Sequence, residues 1–395
     1  MKKLLPLLLL AVLLLAGCRG MHPDEYISVQ EHEAPFAVRE TVPETNQEET
    51  NPTKTTNTIT RASDLRNAIQ RMVEEGQETG RFFVKSYYGE LDEDLENMPN
   101  VLLKDSPKHY YAIESLELSK SQNQIGTIVD VSMKLRLTPQ ELDAIETRMY
   151  PEPALRDIYA ALRQQVSSFM IQISGNKEKD FVTLLEDYAL HHPDQIVETP
   201  VISCTIFPED GSLQLIDLRF DYKTGRDALR TQREEVQASL ELTYKQLSYA
   251  QNAQRILDAL YKNLIPSFDY QDDPEATVYT QVISKIGCSR TMASVAEYLC
   301  TRAGENCQIV VGQREGEPWY WNRIFSEDRW YYFDLHTAGL LGVPPVLTPA
   351  EEMYGYSWDR TQYPEPEKPE EPEPTSTESP TETTELETAV PAEPE

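Results

Sequence analysis

The sequence predicts an α+β fold, with two related αβαββ units followed by a domain of helices packed on an antiparallel sheet. Three observations predict it. The order helix, strand, helix, strand, strand runs from Ala62 to Leu137 and returns about 86 residues later. Residues Asp227–Leu264 keep helical apolar spacing throughout. Strongly apolar, strand-like segments then begin at Cys307.

The first unit, residues 61–150, opens with a helix over Ala62–Glu75, where Leu65, Ile69 and Val73 recur every four residues behind Ser63-Asp64. A strand over Arg81–Tyr87, an acidic helix over Leu91–Leu103 and a strand over Tyr110–Leu116 follow. Thr127–Leu137 closes the unit with mostly alternating apolar positions. The second unit, residues 151–235, repeats the order. It has helix Ala154–Val166, strand Ser168–Ser174, helix Phe181–His191 and strands Val197–Phe207 and Ser212–Tyr222. Pro107 matches Pro193, and Val131–Leu137 matches Ile216–Tyr222, which reads as a tandem duplication. Such units usually offer surface for interaction rather than one polar pocket. A third domain spans 236–350.

Charge excludes several functions. The 395 residues carry 66 acidic and 36 basic side chains, a formal net charge of −30. A grip on nucleic acid needs a basic surface, so that class is excluded. Residues 351–395 form an acidic Pro/Glu/Thr-rich tail, with eleven Glu against one Lys from Glu365 onward. This tail and segment 18–60 bury too little apolar surface to offset ordering entropy and read as disordered.

Lys2-Lys3 followed by apolar Leu4–Leu15 reads as an export signal over residues 1–17. It ends in Leu15-Ala16-Gly17-Cys18, which resembles the bacterial lipobox. That resemblance implies cleavage before Cys18 and a lipid on its thiol, with several acyl chains sufficing for stable anchoring. The expected location is the outer face of the cytoplasmic membrane, or the periplasm or outer membrane of a double-membraned cell. Four further cysteines, Cys204, Cys288, Cys300 and Cys307, allow three disulfide pairings and have no zinc-ligand spacing. No metal and no cofactor are expected. Asp272-Asp273 and Glu351-Glu352 read as solvated faces, and neither a phosphate-cradling loop nor a Gly-x-Ser-x-Gly elbow occurs.

Over residues 252–343 the chain resembles the transglutaminase-like (papain-like) superfamily. Helix Ala253–Leu264 followed by Phe268-Asp269-Tyr270 resembles its entry helix and Tyr-Asp turn, and Ile286-Gly287-Cys288 before helix Ser289–Ala303 its Gly-x-Cys helix. Gln308–Gly312 resembles the strand leaving that helix. Trp319-Tyr320-Trp321-Asn322 stands where the family has His-Ala-Trp-Asn, and Trp330-Tyr331-Tyr332-Phe333-Asp334 resembles Trp-Tyr-x-x-Asp. The resemblance implies a nucleophilic Cys at a helix start, a His on one strand and an Asp on the next.

Here that triad is degraded. Anchored on Ala293, Leu299 and Cys300, the nucleophile slot holds Ser289, the His slot holds Trp319, and Asp334 alone is unchanged. An indole nitrogen cannot accept a proton, so Trp319 cannot act as base. Two residues keep chemistry open. Cys288, one residue off, sits at a helix N-terminus, where a thiol is activated. His336, two residues past Asp334, would share its face on a continuing strand, and otherwise reads as a solvated strand end. Without a base to orient, Asp334 would accept hydrogen bonds from nearby backbone or from Trp319 Nε1.

Two functions from different classes follow. The first is a non-catalytic, lipid-anchored envelope protein that binds an envelope protein or cell-wall polymer. The second is a thiol enzyme, a cysteine peptidase or protein-glutamine acyl transferase, working through Cys288 with Asp334. In a third reading the acidic tail or the tether is the working part and the core is a spacer.

Overall fold

A computed structural model describes residues 36–38, 58–265 and 270–366. The fold is α+β and divides into two compact units, one of residues 1–185 with 200–223, the other of 186–199 with 224–395. Both expected repeats thus fall in the first unit, while residues 186–199 and 224–235 group with the third domain. Cys18, the signal segment, Phe268, Asp269 and the tail beyond 366 lie outside the described residues.

In the first repeat, strands β1 (Phe36–Val38) and β2 (Thr58–Ile59) precede helix α1 (Ala62–Glu75). Strand β3 (Thr79–Val84), helices α2 (Leu91–Asp105) and α3 (Pro107–Ala112), and strands β4 (Ile113–Asn123) and β5 (Gly126–Leu135) follow. Helix α1 forms because Leu65, Ile69, Met72 and Val73 make one apolar stripe, buried in the same core as Leu116, Leu118, Val129, Val131 and Met133 of the sheet. Gly76, at φ 71°, ends it in the left-handed region.

After a short helix α4 (Pro139–Asp143), the second repeat comprises strand β6 (Thr147–Met149), helix α5 (Glu152–Arg163), strand β7 (Ser168–Ser174), helix α6 (Phe181–His191) and strands β8 (Val201–Phe207) and β9 (Leu213–Asp221). The sheets run β1-β4-β5-β3-β2 and β6-β7-β9-β8. In both, the last strand lies antiparallel between its two partners. In both, the strand before the first helix adds in parallel at the edge. The two sheets therefore share one strand topology, each with a parallel edge strand ahead of its first helix, and the first copy has β1 and helix α3 besides.

Three expectations change. Residues Tyr110–Ala112 end helix α3 instead of opening a strand, because Pro107 sits in its first turn, where the missing N–H costs nothing. Within the expected tether, β1 pairs in parallel with β4. The long helical stretch breaks into α7 (Arg226–Leu247) and α8 (Ala253–Leu264), since Asn252 caps the second by accepting from Arg255 N–H at 2.9 Å.

The second unit places helix α9 (Ser289–Arg302) against a sheet of order β14-β13-β12-β15. These strands are β12 (Cys307–Arg314), β13 (Glu317–Ser326), β14 (Arg329–Phe333) and β15 (Tyr356–Ser357), preceded by the short pair β10 (Gln271–Asp272) and β11 (Ile286–Gly287). Asn322 Nδ2 on β13 donates to the Ala293 carbonyl of α9 at 2.9 Å, and both groups are buried. On the opposite face Val310, Trp321, Trp330 and Tyr332 form an aromatic core with Trp358 and Tyr356 packed on it. Buried Arg323 joins through Gln308 Oε1, its guanidinium 4.1 Å over Trp330. Among the described residues no helix is long and apolar enough to cross a membrane.

Gly312 marks the tightest approach in this sheet. A Cβ there would lie 2.3 Å from the Ser357 carbonyl and 2.7 Å from the Trp321 ring. Gly312→Ala should therefore lower stability by about 2 kcal/mol, as overpacking does. Thermal melts should show the loss, while Val311→Ala, on the exposed side, stays within about 0.5 kcal/mol.

Candidate functional site

Cys288 is the N-cap of α9 and half-buried. Its N–H donates to Thr291 Oγ1 at 3.1 Å, and its sulfur lies 3.5 Å from the same oxygen. Ser289, in the nucleophile slot, is buried at the first helical position. The residue before them, Gly287, is under a lid of two side chains. A Cβ there would stand 1.7 Å from Gln281 Oε1 and 2.7 Å from the Tyr270 hydroxyl.

Trp319 points at Asp334. Its Nε1 donates to Asp334 Oδ2 at 2.7 Å, the bond expected from the sequence. The same oxygen accepts from Thr337 Oγ1 at 2.7 Å and from Tyr356 OH at 2.9 Å, while Oδ1 accepts from Thr337 N–H at 2.9 Å. Asp334 is thus the N-cap of a short helix, α10 (Leu335–Leu341), with three donors on Oδ2 and one on Oδ1. Burial, with Asp334 beside it, drives the Tyr356 phenol well above its ordinary value. Arg314 lies 5.5 Å over the Trp319 ring.

The helix overturns the expectation for His336. The strand ends at Phe333, so His336 lies in the first turn of α10 and is only 1% exposed, not a solvated strand end. Its Nδ1 is 2.7 Å from the Tyr270 hydroxyl, which donates to Gln281 Oε1 at 3.0 Å. Its Nε2 lies 3.1 Å from Asp272 Oδ1 without hydrogen-bond alignment. The imidazole ring is 5.3 Å from the Trp319 ring. Burial lowers its pKa, and the Asp334 and Asp272 carboxylates oppose that.

The sequence candidates Trp319 and Asp334 are therefore brought into direct contact, and Cys288 and Ser289 sit at the helix start as expected. Neither imidazole nitrogen of His336 is directed at a thiol, because one faces Tyr270 and the other Asp272. Tyr270, Gln281 and Asp272 were not legible as a group, being brought together only by the chain's return at β10 and β11. The signal for α10 was present: Asp334 and Gly342 bracket seven residues as cap and left-handed stop.

The remaining cysteines take no part. Cys204, Cys300 and Cys307 are free thiols, and burial pushes Cys204 up to about 12 and Cys307 well above its usual range. Among the described residues no group of His, Cys, Asp and Glu is placed to hold a metal.

No protein-family profile matches the chain, and no curated protein does. Two solved structures show partial similarity. A TGase structure is 9% identical, with a TM-score of 0.23, over 48% of this chain and 58% of its own. A protein assigned as a cysteine protease from Cytophaga hutchinsonii is 12% identical, with a TM-score of 0.21, over 40% of this chain and 70% of its own. At these scores neither similarity assigns a family.

Two outcomes follow from the geometry. Asp334→Ala should destabilise the protein by about 3 kcal/mol, since it removes a cap and leaves the Trp319 and Tyr356 donors unpaired. Denaturant titration would read it. Because the folded pKa of His336 is depressed, the unfolded chain takes the proton first, so stability is lost as pH falls below about 6.5. The melting temperature should therefore fall less between pH 7.5 and 5.5 in His336→Gln than in the wild type.

Proposed function

We propose that this chain is a lipid-anchored protein of the bacterial cell envelope whose second unit is a transglutaminase-like domain that binds rather than catalyses. The observation that carries this reading is the bond from Trp319 Nε1 to Asp334. In a working triad the Asp orients an imidazole that takes the thiol proton. Here an indole takes that imidazole's place, and three further donors occupy the carboxylate. The anchor rests on the resemblance of Leu15–Cys18 to a lipobox, and the partner class on export: an envelope protein or a cell-wall polymer.

A second reading, a thiol enzyme acting through Cys288, draws on one specific observation. His336 is buried near the helix start, with Asp272 on its far nitrogen. Against it, the Tyr270 hydroxyl occupies the nitrogen that would otherwise be free.

Incubation of the protein with a glutaminyl acceptor protein and a labelled primary amine separates the two. Amine incorporation and peptide hydrolysis should not exceed the level given by Cys288→Ala. Turnover lost in that variant would overturn the binding reading in favour of the enzyme.

A further inference from the structure

Cys300 and Cys307 stand on either side of one turn. Cys300 is in the last turn of α9, Cys307 opens β12, and both are buried. Glu305 N–H donates to the Cys300 carbonyl at 3.1 Å, and the Asn306 carbonyl accepts from Phe325 N–H at 2.8 Å, so the turn is tied to the helix at one end and to β13 at the other. Beyond the turn, β12 runs back along α9. Ile309 N–H donates to Glu297 Oε1 at 3.0 Å, and the Ile309 side chain shares a core with Ala293. From that tie, three residues of helix lead to Cys300, about 4.5 Å on, and two residues of strand lead back to Cys307, about 6.6 Å away on the same face as Ile309. The two side chains therefore meet, and the Cys307 thiol is hydrogen-bonded with that of Cys300.

A single buried cysteine is often no more than a small apolar side chain. Two in thiol contact are a bond short of a cross-link. Of the three pairings that four cysteines allow, this contact selects the one that joins Cys300 to Cys307. Cys288 caps the other end of α9, about 18 Å from Cys300 along the helix. That is out of reach of a disulfide, whose Cα atoms lie within about 7 Å of each other.

We propose that Cys300 and Cys307 are joined by a disulfide in the exported protein, which locks the end of α9 onto β12. Oxidation in the cell rests on the export proposed above, whereas the choice of partners rests on the geometry alone. The chemistry is thiol–disulfide exchange. The two thiols lose two protons and two electrons, one S–S bond forms between them, and an external disulfide such as oxidised glutathione is cleaved to two thiols. Both thiols are buried, and burial holds Cys307 well above its usual range, so exchange is blocked in the folded protein and takes place while the chain folds. Only six residues separate the pair, so the thiols meet readily in the unfolded chain.

The test is refolding of residues 19–395, so that Cys18 adds no fifth thiol, from denaturant in mixed reduced and oxidised glutathione, followed by alkylation and trypsin. Trypsin cuts after Arg290, Arg302 and Arg314, so the bond would join Thr291–Arg302 to Ala303–Arg314 in one mass that reduction splits. The linked pair is expected in most molecules, with a melting temperature about 5 °C above that of protein refolded in dithiothreitol. Refolded protein with both thiols alkylated, or with either cysteine joined to Cys204 or Cys288, would overturn the proposal. So would a linked form that melts no higher than the reduced one. Export is tested apart, on the full chain in cells whose thiols are trapped before lysis. A linked pair in the membrane fraction is expected, and reduced thiols there would overturn the disulfide. Chain retained in the cytoplasm would overturn the export reading alone, and the refolding result would still decide the pairing.

Discussion

One carboxylate organises the second unit. Asp334 ends the last long strand, caps the helix that follows and accepts from an indole, a phenol, a hydroxyl and a backbone amide. The four donors come from three places: Trp319 from the neighbouring strand β13, Tyr356 from the edge strand β15, and Thr337, which gives two, from helix α10. A charged acceptor roughly doubles the strength of each bond, and the half-buried setting preserves that strength against water. The turn from strand to helix follows from it. Because the chain turns there, His336 is buried under the sheet edge instead of standing in solvent.

The burial of His336 in turn closes the helix start. Tyr270 lies between His336 and Gln281, over a glycine that has no room for a side chain. The Tyr270–Gln281 pair covers Gly287, just before α9, and His336 carries the contact from Tyr270 on to the Trp319 ring. Tyr270, Gln281 and His336 are joined by hydrogen bonds through the Tyr270 hydroxyl, and Trp319 is joined to Asp334. The groups are still polar and still close, and most of their hydrogen bonds are to one another, although His336 Nε2 and Gln281 Nε2 are buried without a partner.

Much of this was legible in the sequence, and the failures have physical causes. The α1 stripe of Leu65, Ile69 and Val73 and the alternation in β5 mark elements that bury one face against a core. The repeated order of elements was legible, with Pro107 and Pro193 at matching places. The leading edge strands β2 and β6 were not, since two or three residues carry no period. Tyr110–Ala112 reads as strand because β-prone tyrosines mask a proline-initiated helical turn. His336 was misplaced because alternation was extended through Asp334, although Asp334 and Gly342 bracket a short helix. The bond from Trp319 to Asp334 was accessible because adjacent antiparallel strands put the two residues within reach. The Tyr270–His336–Asp272 contacts span more than 60 residues, and no local pattern encodes them.

The proposal that the second unit binds rather than catalyses turns on the thiol at the start of α9. The direct measurement is the rate of iodoacetamide alkylation of the folded, reduced protein at pH 6, resolved by peptide mapping, with Cys288→Ala alongside. A thiolate held by an imidazolium reacts rapidly at that pH, whereas an ordinary thiol is almost wholly protonated. The account predicts that Cys288 reacts no faster than free cysteine. Alkylation at Cys288 tenfold or more above free cysteine, lost in His336→Gln, would contradict it and restore a working thiol site to this fold.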